Sequence, residues 1–347
     1  MPPIREAYIA QCEQDGKLPY AKHLHAIPKH TEGLRGLIAS LCIYPGKALG
    51  GLSIPSARIT KDGLETEDGL LRDRSFMLGQ IPPVMHNAMF TRFSQRNQAK
   101  LALMQPHFDG RKLIYEAPGV GKLEIDPEQL QPQNGDVTTV EVIPNTVVYA
   151  VRECGPINAY VKNYLKSIGD DPDKVEVLLP SISYLRHVED RHSCGERADT
   201  LFTDGGQQLL ASYSSLTGEA SMKAVRPNIG VRGWIAFLED ILKDAQIKGK
   251  VHGTRWPIRM LFGDLSVRCA VTMINPETGI MRTDGEPLKT WKNVRPFRVD
   301  GTANGKPTFG VNTVFPEEMT TDKAAVISVD DEIIAGSEKT FGPREVL

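Results

Sequence analysis

Residues 37–60 read LIASLCIYPGKALGGLSIPSARIT. Leu37, Ile38, Leu41 and Ile43 make a β-compatible run, and Tyr44-Pro45-Gly46 ends it, because proline brings no ladder N–H and glycine favours the turn. A second apolar run covers 52–59. Four more follow at 75–78, 101–104, 112–115 and 140–143, most of them bounded by Gly, Pro, Asp or Asn. Short strands at this spacing predict antiparallel sheet or barrel rather than regular strand–helix alternation. The glycines Gly46, Gly50 and Gly51 precede no helical pattern, so they do not make a dinucleotide fingerprint.

Outward from that stretch the pattern changes twice. Residues 1–35 contain four prolines and no sustained periodicity, so they are expected to be an extension that packs onto the body or stays partly loose. In 155–169, Ile157, Tyr160, Val161, Tyr164 and Leu165 recur at helical spacing, with Pro156 suited to the first turn and Gly169 to the stop. Further helices are expected over 208–219 and within 236–248. Strands then return near 258–262, 265–272 and 325–329. This order predicts an α+β protein, mostly β, with barrel-like sheets. The expected division is an extension over 1–35, a β-barrel-like domain over 36–150, and a second β-barrel domain with a helical lead-in over 151–347.

The chain has 347 residues, 40% hydrophobic and 24% charged, enough to bury a large core without staples. Its 41 Lys and Arg against 43 Asp and Glu leave a formal charge of −2, which argues against nucleic acid as the main partner. The N-terminal residues contain no apolar signal core, and no stretch is long enough to span a bilayer. Cys12, Cys42, Cys154, Cys194 and Cys269 are scattered, with no CxxC pair; reduced thiols and a cytoplasmic location are the expectation. Phosphate-loop, nucleophile-elbow, zincin and EF-hand motifs are absent. His23, His25 and His30, and separately His187 and His192 near Cys194, read better as surface histidines than as metal sites.

More informative is a set of segments in order: Tyr44-Pro45-Gly46-Lys47, Leu71-Arg72-Asp73-Arg74, Arg226-Pro227-Asn228-Ile229, Arg268-Cys269, Asn275-Pro276-Glu277-Thr278-Gly279 and Phe309-Gly310-Val311-Asn312. Alone, Arg72 and Arg74 read better as a solvated or salt-bridged strand end, and Cys269 as a small buried hydrophobe within a strand. Together, over about 37–338, they resemble the MOSC family. That family includes the C-terminal domain of molybdenum cofactor sulfurase, YcbX-type proteins and the mitochondrial amidoxime reducing component. The matching residues are Tyr44, Pro45 and Lys47; Gly69, Asp73, Arg74 and Phe76; Asp204-Gly205 with Ser212–Leu216; Arg226–Ile229; and Arg268, Cys269, Thr272, Asn275, Pro276, Thr278 and Gly279.

The resemblance implies a MOSC N-terminal β-barrel-like domain followed by a MOSC β-barrel domain with flanking helices. It also implies a molybdenum cofactor (Mo-molybdopterin) whose metal takes the thiolate of Cys269, a soft ligand for a thiophilic metal. Lys47, Arg72, Arg74 and Arg226 would hold the anionic pterin phosphate, Asn228 would hydrogen-bond the cofactor, and Arg268 would be the cation next to the thiol. The implied activity is reduction of small N-hydroxylated or N-oxygenated substrates, with electrons from a separate donor protein of cytochrome b5 or flavoprotein type. The mitochondrial relatives carry an N-terminal membrane anchor; here the extension is polar, so no membrane partner is expected. Three departures stand out. Ala48 replaces a frequent serine, Ser266-Val267-Arg268-Cys269 keeps only the second cysteine of a usual pair, and 241–257 is longer than in many relatives. They leave two other uses of the scaffold open: a metal-free lyase or isomerase, and a carrier of molybdenum cofactor or sulfur.

Overall fold

The computed structural model describes residues 4–16, 18–60, 63–82, 89–130, 136–143, 146–153, 155–180, 199–203, 222–294, 307–316, 319 and 325–340. The fold is mostly β, as expected. An 11-stranded sheet contains a closed ring: Thr254–Val267, Thr308–Val314, Asp199–Thr203, Ile229–Arg232, Arg35–Ile43, Glu332–Ala335 and Asp244–Val251, the last pairing back onto Thr254–Val267. Val326–Ser328, Ser56–Thr60 and Gly63–Glu65 extend it as a branch, and Leu52–Ile54 pairs with Arg35–Ile43. A second closed barrel joins Val137–Ile143, Thr146–Glu153, Val175–Pro180, Met77–Gln80 and Phe90–Phe93. Gln105–Phe108, Leu113–Ala117 and Gly121–Ile125 form a three-stranded meander. Strand pairing therefore crosses residue 150 in both directions: Arg35–Ile43 joins the large sheet, and Val175–Pro180 joins the five-stranded barrel.

The helix expected over 155–169 is Pro156–Ser167, opened by Pro156 in the first turn and stopped at Gly169, whose φ is 79°. Ile157, Tyr160, Val161, Tyr164 and Leu165 are buried along one stripe; each fully buried aliphatic or aromatic side chain contributes about 1.5–3 kcal/mol. Two helices near the N-terminus, Ile4–Gln14 and Leu18–Ala26, also fold onto the body. Tyr8, Cys12, Tyr20 and Leu24 enter the main core, Arg5 donates to the Ile27 and Pro28 carbonyls and pairs with Glu338, and the Tyr20 hydroxyl donates to Asp240 Oδ2 at 2.5 Å.

Three expectations need correction. The apolar run 101–104 is not a strand. It lies in a 3-10 helix, Ala99–Leu103, whose first turn is capped by the Gln98 side chain accepting from the Lys100 N–H. The helix expected within 236–248 is confined to Leu238–Ile241, and Asp244–Val251 is a strand. There Ala245, Ile247 and Gly249 are buried while Gln246, Lys248 and Lys250 face solvent, a period of two that outweighs the apolar density of the preceding residues. The strand expected to run to 272 ends at Val267, so Cys269 lies beyond it, as the N-cap of the 3-10 helix Ala270–Met273. The helix expected over 208–219, the segment 204–216, and His187, His192, Cys154 and Cys194 lie outside the described residues.

Candidate active site

The site is built where strands end. Arg35–Ile43 runs antiparallel to Ile229–Arg232 with Leu41 opposite Ile229. The residues just past those positions, 42–44 on one side and 226–228 on the other, are thereby brought side by side. The Cys42 N–H donates to the Asn228 carbonyl at 2.9 Å, and the buried Asn228 amide donates back to the Cys42 carbonyl at 3.1 Å. One pairing thus joins two motifs that lie 186 residues apart.

The turn at 44–47 is laced to 73–76. The Lys47 N–H donates to the Phe76 carbonyl at 2.8 Å, the Arg74 N–H to the Tyr44 carbonyl at 2.8 Å, and the Phe76 N–H to the Pro45 carbonyl at 3.0 Å. The Tyr44 N–H donates to Asp73 Oδ1 at 2.6 Å, and Arg74 Nε lies 3.4 Å from Asp73 Oδ2. Gly46 is required in this turn: a Cβ there would stand 2.6 Å from the Leu49 side chain and 2.7 Å from the Phe76 ring. Its N–H donates to the buried Tyr115 hydroxyl at 3.1 Å.

Arg226 stacks its guanidinium 4.1 Å from the centre of the Tyr44 ring and donates Nη1 to the Leu49 carbonyl; Tyr44 in turn donates its hydroxyl to the Pro227 carbonyl at 3.2 Å. Arg226 and Arg74 both hold left-handed backbone, at φ 59° and 57°, a conformation that costs about 1–3 kcal/mol and survives where surroundings over-determine it. Burial pushes the Asp73 carboxyl above its ordinary range, against the pull of Arg74, the Tyr44 N–H, Arg226 and the Asn228 amide. Burial likewise lowers the Arg226 pKa, opposed by Tyr44, Cys42 and Asp73, and pushes the Cys42 thiol up to about 11. Cys42 is accordingly an inert thiol.

Cys269 has different surroundings. It is half-buried, at the start of a turn in which Thr272 bonds back to its carbonyl through both N–H, at 3.0 Å, and Oγ1, at 2.9 Å. Arg268, expected to be the cation at the thiol, turns Nε onto the Phe309 carbonyl at 2.7 Å and Nη1 onto the Val225 carbonyl at 3.1 Å. It ties the thiol's segment to the residue preceding Arg226. The cation at the sulfur is Arg96, whose Nε lies 3.3 Å from Cys269 Sγ.

Of the expected site residues, Lys47, Arg74, Arg226 and Asn228 are gathered around Tyr44, while Arg268 and Cys269 join them through Val225. Arg72 neighbours them in sequence but pairs its backbone with Glu65. Arg96 has no motif around it, only the polar turn Ser94-Gln95-Arg96-Asn97, and it stands 173 residues from Cys269; nothing in the spacing could have singled it out. Among the described residues no group of three or more His, Cys, Asp or Glu could hold a metal ion. A soft thiol donor beside a cation, with further cations and an amide at neighbouring strand ends, fits an anionic dithiolene cofactor. Among the described residues no helix is long and apolar enough to cross a membrane.

Residues 35–167 match the model of the MOSC N-terminal beta barrel domain. The chain is 24% identical over 317 residues to the human mitochondrial amidoxime-reducing component 1, covering 86% of this chain and 82% of the relative. It is 25% identical over 272 residues to the bovine mitochondrial amidoxime reducing component 2, covering 75% and 72%, and 26% identical over 281 residues to the mouse mitochondrial amidoxime-reducing component 1, again covering 75% and 72%.

Proposed function

We propose that this chain, whose residues 35–167 match the model of the MOSC N-terminal beta barrel domain, is an oxidoreductase that reduces small N-hydroxylated or N-oxygenated compounds with a molybdenum cofactor held through Cys269. The observation that carries this reading is the accessible thiol of Cys269 in contact with Arg96, one residue past an arginine that anchors it next to Arg226. The similarity to proteins named amidoxime-reducing components supports it.

When bound, the cofactor supplies two-electron chemistry that converts an N–OH group to N–H with release of water, consuming two electrons and two protons. The chain's own residues do the holding. Lys47 and Arg74 present cations at the laced turn, and Asn228 offers an amide fixed against Cys42. Arg226 supplies positive charge, although its Nη1 is engaged by the Leu49 carbonyl. Arg268 holds the thiol's segment in place. Electrons come from a separate donor protein of cytochrome b5 or flavoprotein type. The free thiols Cys12, Cys42 and Cys269 suit a compartment that keeps cysteine reduced.

The test is metal and pterin analysis of protein made in a molybdenum-cofactor-competent host, wild type beside Cys269→Ala. Near-stoichiometric molybdenum that disappears in the variant, together with turnover of an amidoxime by the wild type alone, is the expected result. A well-folded wild type without molybdenum and pterin overturns the reading, and so does a variant that keeps both metal and activity.

A further inference from the structure

We propose that the substrate of this site carries a negative charge, a carboxylate in the first instance, close to the bond that reacts, and that Arg96 receives it with Lys100 beside it. The inference rests on the reading of Cys269 given above.

Arg96 is held as a rigid presenter. The Ser94 N–H donates to Asn97 Oδ1 at 3.1 Å, the Asn97 N–H to the Ser94 carbonyl at 2.8 Å, and the Gln98 N–H to the same carbonyl at 3.1 Å. Ser94 and Gln95 are buried while Arg96 is exposed. With its backbone fixed, the side chain projects over Cys269 and spends Nε on the sulfur. Among the described residues its guanidinium has no ion-pair partner, and the residue is exposed.

The acids nearby are engaged elsewhere. Asp170 accepts from Gln98 at 2.9 Å and pairs with Lys174, and Glu277 pairs with Lys223 at 3.5 Å. Lys100, one turn on, is exposed and likewise has no carboxylate partner among the described residues. Its backbone passes close to Gly279, in the turn that follows Cys269: a Cβ on that glycine would meet the Lys100 Cα at 3.0 Å. An arginine at the sulfur that offers a planar fork and has no carboxylate partner among the described residues forms a receptor for an oxyanion, and Lys100 adds an exposed positive charge four residues on. The cations around Tyr44 are a separate set, so a cofactor phosphate and a substrate carboxylate would not compete for the same groups.

The first test needs no cofactor. Protein made in a cofactor-deficient host is alkylated with iodoacetate and, separately, with iodoacetamide, and the rate at Cys269 is read by peptide mass spectrometry. The ratio of the two rates cancels changes in the thiol's own reactivity and reports only the preference for an anionic reagent. In Arg96→Gln that ratio is expected to fall about fivefold, the factor one charge at ~4 Å carries in water, whereas Arg96→Lys retains most of it. An unchanged ratio in Arg96→Gln overturns the proposal.

The second test uses loaded enzyme with benzamidoxime and 4-carboxybenzamidoxime. The expected result in Arg96→Gln is a KM, read per bound molybdenum, that rises by a larger factor for the carboxylate compound than for benzamidoxime. Equal effects on both compounds together with lost molybdenum would mean that Arg96 holds the cofactor, which overturns the substrate assignment. Absence of turnover with either compound counts against the reductase reading, and the alkylation ratio still decides the role of Arg96.

Discussion

Replacing Arg268 with methionine keeps an unbranched apolar stem and removes every donor. Two carbonyls then lose their partners: Phe309, which took Nε at 2.7 Å, and Val225, which took Nη1 at 3.1 Å. Both belong to buried residues, and a buried acceptor left unsatisfied costs about 1–3 kcal/mol. Because Arg268 is half-buried and water can reach part of the vacated space, the lower half of the combined range is the better figure, about 3 kcal/mol. A chain of 347 residues unfolds with an entropy of roughly 0.7 kcal/mol/K on the usual per-residue value, so the expected fall in Tm is about 4 °C. Thermal melts followed by circular dichroism measure it. Arg268→Lys restores the charge but offers one point donor instead of a fork, so it recovers about half. The loss also frees the Cys269 segment from Val225, so Cys269 alkylation should accelerate in the methionine variant. A Tm within 1 °C of wild type, with the alkylation rate unchanged, would refute Arg268 as the staple of the site.

Two further perturbations test the cluster around Tyr44. Burial raises the Asp73 carboxyl above its ordinary value of 3.8, which means that the folded protein holds the proton more tightly than the unfolded chain. Its contribution to stability is therefore full below about pH 4 and is lost as pH rises through the raised folded value. Asp73→Asn keeps an acceptor for the Tyr44 N–H and abolishes the titration. Urea unfolding at successive pH values should thus show the variant gaining on the wild type as pH rises; a constant difference between them would contradict the assignment. In Gly51→Ala, the new Cβ would stand 2.4 Å from the Tyr44 ring and 2.8 Å from Cys42 Sγ, so the ring must turn and Arg226 loses its stacking surface. A loss of about 1–3 kcal/mol is expected, with Cys42 becoming open to alkylation; stability within 0.5 kcal/mol of wild type would show that the ring can move freely.

How much of this was legible in the sequence depended on whether the signal was local. The helix Pro156–Ser167 was legible to within two residues because its stripe, its proline and its glycine all lie inside one window. The strand Asp244–Val251 was read as part of a helix because alternation over eight residues competes with an apolar run just before it, and its hairpin partner begins only at Thr254. The N-terminal helices escaped notice because their buried residues are spread among charges, with only Tyr8, Ile9 and Cys12 turned inward from the first beyond Arg5. Among the site residues, Arg226 and Asn228 lie in a recognisable Arg-Pro-Asn-Ile segment. What could not be read was how Arg268 is used. An arginine next to a cysteine suggests a thiol partner, yet its neighbours in space are two carbonyls, and the cation at the sulfur comes from a turn with no motif at all.

The positions of these groups follow from how the chain changes sheets. Arg35–Ile43 and Ser56–Thr60 belong to the large sheet, Met77–Gln80 and Phe90–Phe93 to the five-stranded barrel, and Gln105–Phe108 to the meander. Residues 72–76 are the crossing from the first to the second, and 94–104 the crossing from the second to the third. A crossing must leave a ladder, so its backbone groups need partners from turns and neighbouring strand ends. Here the 72–76 crossing finds them on Tyr44, Pro45 and Lys47, and the 94–98 turn finds them on itself. Side chains at such places are free to point into the gap between sheets, while the ladders on either side hold their backbones still. Arg74 and Arg96 therefore stand at two sheet changes, and Arg226 and Cys269 lie just outside strand ends of the large sheet. A shift of one sheet against the other would separate Arg96 from Cys269 before it disturbed the Tyr44 cluster, whose members, Lys47, Arg74, Arg226 and Asn228, are all tied to the end of the one strand Arg35–Ile43.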